Sequence, residues 1–287
     1  MRNYFYGWYL KCQSDTQTLA IIPAIHRREK TNTCSIQIIT DKGAWSVEFP
    51  GNAFHRQGKM ICIEKNRFGE EGIHLSLNTP GLSLEGKLEF GPLLPLKYDI
   101  MGPFARLPFL ECRHSVWSIC HTVSGRIYLN GEDYCFREAR GYWEGDSGRS
   151  FPKEYFWTQC CLPQGAVMLS AAEVSLASLH FTGIVGVVLW EGKEYRIATY
   201  LGAALKQLQP ERIHIVQGSL ELELELKEEL KGEALCSLKA PADGAMARTI
   251  HESVACRVFY RFRKSGRTIF SHESDRASVE YEYKKEG

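Results

Sequence analysis

No Cys-x-x-Cys pair occurs among the ten cysteines of this 287-residue chain, which removes the main support for a zinc-ribbon or thioredoxin reading. Net charge is nearly absent too. Lys and Arg number 35 against 34 Asp and Glu, leaving +1. No bulk field therefore favours nucleic acid or an anionic membrane, and no cluster of basic and aromatic residues supplies one locally. Long hydrophobic runs are missing; the longest, Ile184 to Trp190, is far short of a membrane span. The stretch Met1 to Trp8 is too polar and aromatic to read as a signal peptide. No Gly-rich phosphate loop sits between a strand and a helix pattern. No His-rich or carboxylate-rich set has metal-ligand spacing along the chain. These absences lead us to expect a cytoplasmic protein with reduced thiols, without nucleotide, metal or nucleic-acid partner. The cysteines lie mostly among apolar neighbours, as small buried hydrophobes do.

What is present is almost entirely β pattern. Strand-like runs occur at Tyr4 to Lys11, Thr18 to His26, Thr33 to Thr40, Ala44 to Phe49, Lys59 to Lys65, Gly72 to Asn78 and Leu82 to Phe90. Pro23 suggests an edge or bend in the second. A second series covers Val116 to Val123, Arg126 to Leu129 and Glu132 to Arg137, with turns expected at Ser124-Gly125 and Asn130-Gly131. Further runs follow from Gly165 to Tyr283. Ala203 to Gln207 reads as a helical turn, and Lys284 to Gly287 should fray. The alternation Leu220 to Leu226 predicts a half-buried strand whose glutamates face solvent. Short runs with turn residues between them predict a barrel or sandwich.

Gly91 to Pro108, rich in proline, breaks the pattern and is expected to connect two halves. The expected division is 1–108, including the connector 91–108, and 109–287. A weak repeat supports two related units packed side by side. Gly7-Trp8-Tyr9 parallels Gly141-Tyr142-Trp143. Ile73-His74-Leu75 before Leu82–Phe90 parallels Ile213-His214-Ile215 before Leu220–Leu226.

Arg140 to Gln159 concentrates six aromatics, three carboxylates and two arginines. In extended chain Tyr142, Glu144 and Asp146 point to one side and Trp143 to the other, while Tyr155, Trp157 and Gln159 share a face further on. Gly141, Gly145 and Gly148 allow sharp turns between these side chains. A carboxyl group among aromatic rings suits either binding of a flat apolar ligand or proton donation in a water-poor pocket, where desolvation raises its pKa. Gly145-Asp146-Ser147-Gly148 also spells the serine loop of trypsin-like proteases. The continuation Arg149-Ser150 is wrong for that family, and no Ala-Ala-His-Cys segment occurs upstream.

Glu144 is the first candidate proton donor, with Asp146 second and Tyr142 beside them. Their structural alternatives are an ion pair of Glu144 with Arg140 or Arg149, and a turn role for Asp146. Arg149 could hold a ligand carboxylate or phenolate, or a structural carboxylate. His114 and His121 are candidate bases for a phenol proton, or hydrogen-bonded barrel histidines. Their separation of seven residues puts them on opposite faces, His121 with Trp117 and His114 with Ser118. Trp143, Trp117, Trp157 and Gln159 complete the expected binding wall. Glu252 is a further acid or a surface residue, and Trp8 and Tyr9 either fill the first barrel or touch ligand.

Two motifs then resemble a family. Tyr6-Gly7-Trp8-Tyr9 is similar to the Glu-Gly-Trp-Tyr opening of the tocopherol cyclases and their bacterial relatives. Trp143-Glu144, Gly148, Ser150-Phe151-Pro152-Lys153 and Phe156-Trp157-Thr158-Gln159 resemble their central signature. The resemblance implies an all-β fold of two lipocalin-like antiparallel units. It implies acid-triggered cyclisation or hydration of a prenylated quinol or other isoprenoid, without cofactor. An apolar substrate of this kind would be collected by transient membrane contact. Asp146-Ser147 departs from the plant pattern, so the pocket chemistry can differ. A lipocalin-like carrier that binds without catalysis, and a scaffold filled by its own side chains, are the other two readings. The second unit, carrying the acids, is the expected home of the pocket.

Overall fold

The computed structural model describes residues 3–29, 31–107, 110–176, 179–227 and 235–283. The expected fraying of 284–287 lies outside them. The described chain forms strands and three short 3-10 turns, and falls into two compact units. The first is Met1–Lys97, Leu110–Phe151 and Leu238–Thr249; the second is Tyr98–Phe109, Pro152–Ser237 and Ile250–Gly287. This differs from a simple cut at 108/109, because the long hairpin after the connector completes the first unit's sheet.

That sheet contains β1 (Tyr4–Gln13), β2 (Thr18–Arg28), β3 (Thr31–Thr40), β4 (Gly43–Pro50), β5 (Phe54–Gln57), β6 (Met60–Ile63), β7 (Asn66–Gly69), β8 (Gly72–Thr79), β9 (Leu82–Phe90), β10 (Cys112–Leu129) and β11 (Glu132–Gly148). Its order is β4-β3-β2-β1-β11-β10-β9-β8-β7-β6-β5. A flat sheet of eleven strands would be about 48 Å wide. Its two edge strands are joined by Gly51–Ala53 alone, a link that spans at most roughly 14 Å. The sheet must therefore curl until its edges approach, and it wraps a core that includes Leu10, Ile21, Ile38, Phe68, Leu75 and Trp143.

Local details follow from single residues. Pro23 lies inside β2, not at an edge. The β1–β2 ladder lapses beside it, between Gly7–Ala24 and Leu10–Ile21, because proline has no N–H to donate. Asn130-Gly131 makes the hairpin turn with φ of 51° and 86°, as a two-residue primed turn requires. Ser124-Gly125 is no turn. It is a register shift within β10, where one strand carries an extra residue.

The second sheet holds β12 (Tyr155–Leu162), β13 (Gly165–Leu176), β14 (Leu179–Trp190), β15 (Lys193–Ala198), β16 (Ala204–Gln209), β17 (Arg212–Gln217), β18 (Leu220–Leu226), β19 (Cys236–Ala242), β20 (Ala245–Lys264) and β21 (Arg267–Tyr281), although Leu238–Thr249 of β19 and β20 cluster with the first unit. The order is β15-β14-β13-β12-β21-β20-β18-β17-β16, with β19 paired to β20. Again the two ends, β15 and β16, are neighbours in sequence, so this sheet curls too. The expected helical turn at Ala203 to Gln207 is strand β16. The glutamates of β18 are not simply solvated. Glu223 is buried and lies 3.0, 2.5 and 3.3 Å from Arg212, Arg261 and Arg263.

The repeat is topological. Strands β8-β9-β10-β11-β1 correspond to β17-β18-β20-β21-β12, which supports the pairing of Ile73–Leu75 with Ile213–Ile215. Gly7–Tyr9 and Gly141–Trp143 are not counterparts. They lie on β1 and β11, adjacent antiparallel strands of one sheet, with Lys11 opposite Tyr142.

Candidate active site

Strand β11 is central to the first sheet, so its side chains alternate between two covered faces. Trp143 enters the core, while Tyr142, Glu144 and Asp146 take the other face. Neighbouring strands add side chains to that second face. On β1, Lys11 stands opposite Tyr142 and Tyr9 opposite Glu144. On β10, His114 stands opposite Asp146. Tyr142, Lys11, Glu144 and Tyr9 are all buried. The acids therefore lie in the first unit, not the second, and outside its core instead of within it.

His114 is held between the two carboxylates. Its Nδ1 lies 2.9 Å from Asp146 Oδ1, and its Nε2 lies 3.2 Å from Glu144 Oε2. The first contact is an aligned hydrogen bond. The second is a longer ion-pair contact. The Tyr142 hydroxyl donates to Glu144 Oε2, and the Cys112 thiol donates to Asp146 at 3.7 Å. A continuous path runs from Tyr142 through Glu144, His114 and Asp146 to Cys112.

The electrostatics follow from burial and like charge. Burial disfavours a charged imidazole, but Glu144 and Asp146 outweigh it and hold the His114 pKa well above its ordinary value. Burial raises the Glu144 pKa; His114 opposes the rise and Asp146 adds to it. Burial, then the Glu144 charge, raises the Tyr142 hydroxyl. Burial, then Asp146, raises the Cys112 thiol. The cluster thus retains protons that isolated side chains would release, which is what an acid catalyst needs.

Neither structural alternative for the acids holds. Arg149 pairs with Asp243 at 2.6 Å and is largely exposed. Arg140 reaches the Cys120 sulfur at 3.9 Å. Asp146 is a strand residue, not a turn residue. The glycines of β11 are also not turns at 141 and 145. A Cβ at Gly145 would come within 2.8 Å of the Trp8 ring, and one at Gly141 within 2.3 Å of His121 Nε2. They make room for rings.

His121 and His114 do take opposite faces, although β10 carries two register shifts between them. Those shifts change their partners. His121 Nδ1 bonds Ser118 Oγ at 3.0 Å, so Ser118 joins His121 and not His114. Trp117 packs in the first unit's core region, stacked on Trp143 at 5.7 Å.

Trp157 and Gln159 belong to β12 in the second unit. They lie on the face opposite that unit's core, which takes Phe156 and Cys160. Trp157 stands opposite Glu280, and Glu280 opposite Glu252. The Tyr155 hydroxyl donates to Glu280. Glu252 is fully buried, not a surface residue. Each unit thus sets one buried glutamate on its last strand, Glu144 on β11 and Glu280 on β21, opposite its first strand and bonded to a tyrosine. Sequence reasoning did not find Lys11, Cys112 or Glu280, because cross-strand register alone assembles them.

The absence of metal spacing along the chain does not carry over to the fold. His114, Glu144 and Asp146 each offer a ligand atom within 4.8 Å of the others, as do His214, Glu221 and Glu223. The second group is already neutralised by arginines. The first could hold a divalent cation only by replacing the hydrogen bonds just described. Among the described residues no helix is long and apolar enough to cross a membrane.

Comparison with known proteins bears on family and fold. The profile of a family described as tocopherol cyclase-like matches residues 89–282. It covers the whole cluster except Tyr9 and Lys11, and leaves the opening motif outside. A probable chloroplastic tocopherol cyclase from Oryza sativa subsp. japonica is 28% identical over 131 residues, 42% of this chain and only 27% of that protein's length. Two solved structures share the fold. Kievitone hydratase from Nectria haematococca has a TM-score of 0.54 at 6% identity, over 98% of this chain and 89% of that one. A putative AttH from Nitrosomonas europaea has a TM-score of 0.53 at 10% identity, over 99% and 93%. At such identities the likeness establishes a common all-β, lipocalin-like architecture.

Proposed function

The chain belongs to the tocopherol cyclase-like family, and from that premise we propose that it is an acid–base enzyme acting on an isoprenoid. The reaction is protonation of a trisubstituted alkene, followed by ring closure onto a neighbouring phenol or by capture of water. The observation that carries this reading is His114 bracketed by Glu144 and Asp146 on a buried face.

Glu144, its proton retained by burial, gives that proton to the alkene, and the positive charge moves to the tertiary carbon. The carboxylate left behind is stabilised by the adjacent His114 imidazolium, itself oriented by Asp146. In ring closure the phenol oxygen attacks the cation, and its proton returns to Glu144, so no proton is consumed overall. In hydration a water oxygen attacks instead and gives up one proton in the same way. Tyr142 fixes the Glu144 carboxyl by its hydrogen bond. The ten thiols, with no disulfide among the described residues, support a reducing compartment such as the cytoplasm.

Glu144→Gln keeps the shape and removes the transferable proton. Incubated with a panel of prenylated hydroquinones and acyclic polyenes, it should lose turnover by about 10²-fold or more while retaining binding. Equal turnover in Glu144→Gln and the natural chain would remove Glu144 from the mechanism. Binding without turnover by either protein, across the panel, would favour the carrier reading.

A further inference from the structure

We propose that the interior of the first unit's curled sheet is a second ligand site, for a flat ring-bearing alcohol or phenol, with Trp143 and His121 as its polar contacts. It lies on the face of β11 opposite the acid cluster and does not depend on the reaction proposed above.

Two observations carry it. The first is an unmatched pair of polar atoms. Trp143 is fully buried, His121 is 5% exposed, and both lie on the inner face. Neither Trp143 Nε1 nor His121 Nε2 has a hydrogen-bond partner among the described residues. Trp8, by contrast, donates its Nε1–H to the Tyr6 hydroxyl at 2.7 Å. Ser118 Oγ accepts from the Leu94 amide at 3.0 Å and lies 3.0 Å from His121 Nδ1 and 3.3 Å from the Cys120 carbonyl oxygen. Its one hydrogen can go to either, so His121 Nε2 is an N–H donor in one tautomer and a bare acceptor in the other. Burial lowers the His121 pKa to about 4, which keeps the ring neutral. A hydroxyl group both donates and accepts, so it matches the Trp143 N–H and His121 Nε2 in either tautomer. The walls specify rings, since Trp143 packs edge-on to Trp8 at 4.8 Å and stacks on Trp117 at 5.7 Å.

The second observation is an opening. On β3 the inward residues Cys34, Ile36 and Ile38 are fully buried. Their cross-strand partners on β4, Phe49, Val47 and Trp45, face the same way but are only half-buried. Strands β4 and β5 end the sheet and share no ladder. The wall is therefore incomplete along β4, and water reaches inward apolar side chains there. On the other side the Phe90 ring lies 4.5 Å from that of His121 and borders an open surface cleft walled mostly by Glu70, Glu71, Lys87 and Glu89.

Equilibrium dialysis of the full chain against 1-naphthol and against naphthalene tests this. We expect 1-naphthol to bind about fivefold more tightly, the worth of roughly one net hydrogen bond. Trp143→Phe and His121→Phe should each reduce that preference and leave naphthalene binding unchanged. Glu144→Gln should leave both affinities as they were, which separates this site from the acid cluster. The Trp143 indole N–H resonance should shift on adding 1-naphthol and not on adding naphthalene, a readout that needs no variant to fold. Equal affinity for the two probes, no binding of either, or a preference that persists in folded Trp143→Phe and His121→Phe would overturn the proposal. So would loss of 1-naphthol binding in Glu144→Gln, or an indole resonance that does not respond.

Discussion

His114 is the residue on which the candidate chemistry turns, and its surroundings fix the sign of its titration. A group whose folded pKa exceeds its unfolded one binds more protons in the folded state. Its contribution to stability is full below the unfolded pKa and is lost as pH rises through the folded pKa. For His114 the loss begins above about 6.5, since its pKa is raised. The raised pKa values of Glu144, Tyr142 and Cys112 act in the same direction, each from its own unfolded value upward. The melting temperature should therefore fall as pH rises past neutrality. In His114→Gln that alkaline slope should be shallower, as followed by thermal unfolding at a series of pH values. An equal slope in both proteins would mean that His114 is not charged in the fold. Because the proposed chemistry uses only side-chain protons, chelators should leave turnover unchanged. Lost activity in EDTA, restored by a divalent ion, would instead make His114, Glu144 and Asp146 a metal site.

Strands β10 and β11 sort these residues into two environments. Gly145 permits the sorting by leaving space for Trp8 on the inner face. Gly145→Ala should destabilise the protein by about 1–3 kcal/mol through overpacking, visible as a melting temperature lowered by several degrees. An unchanged melting temperature would show that the Trp8 ring moves aside without cost. The alternation of Tyr142, Glu144 and Asp146 against Trp143 was legible in the sequence, because period-two patterning is a local property of extended chain. So was the hairpin at Asn130-Gly131, where two positive φ angles demand those residue types. The partner of Glu144 was not legible. Sequence proximity pointed to Arg140 and Arg149, whereas register selected His114 from a strand thirty residues away. Register also depends on bulges in β10, and nothing in Val116 to Val123 distinguishes a bulged strand from a regular one. The bulges account for the misassigned company of Ser118, whereas Trp117 shares the inner face with His121 as expected.

At the scale of the whole chain the same topology occurs twice. Each unit sets its last two long strands beside its first, and each links its two sheet edges by a few residues. This explains why the connector at 91–108 misled the expected division. A break in strand pattern marks where the chain leaves one sheet, but the first sheet is completed only after the break, by β10 and β11. Without them β1 and β9 lose their ladder partners, and Val123, Ile127, Phe136 and Trp143 leave the core. Residues 238–249 return to this unit as well, where Gln37 and Lys239 exchange hydrogen bonds of 2.9 and 2.8 Å. A fragment of residues 1–108 should therefore lack cooperative unfolding and expose strand edges that promote association. A fragment of residues 1–151 keeps all eleven strands of the sheet and should unfold cooperatively, though at lower temperature than the full chain because it lacks 238–249. Circular dichroism melts of the two fragments separate the cases. Cooperative melting of 1–108 at the temperature of 1–151 would mean that the first unit closes without the strands that carry both of its candidate sites.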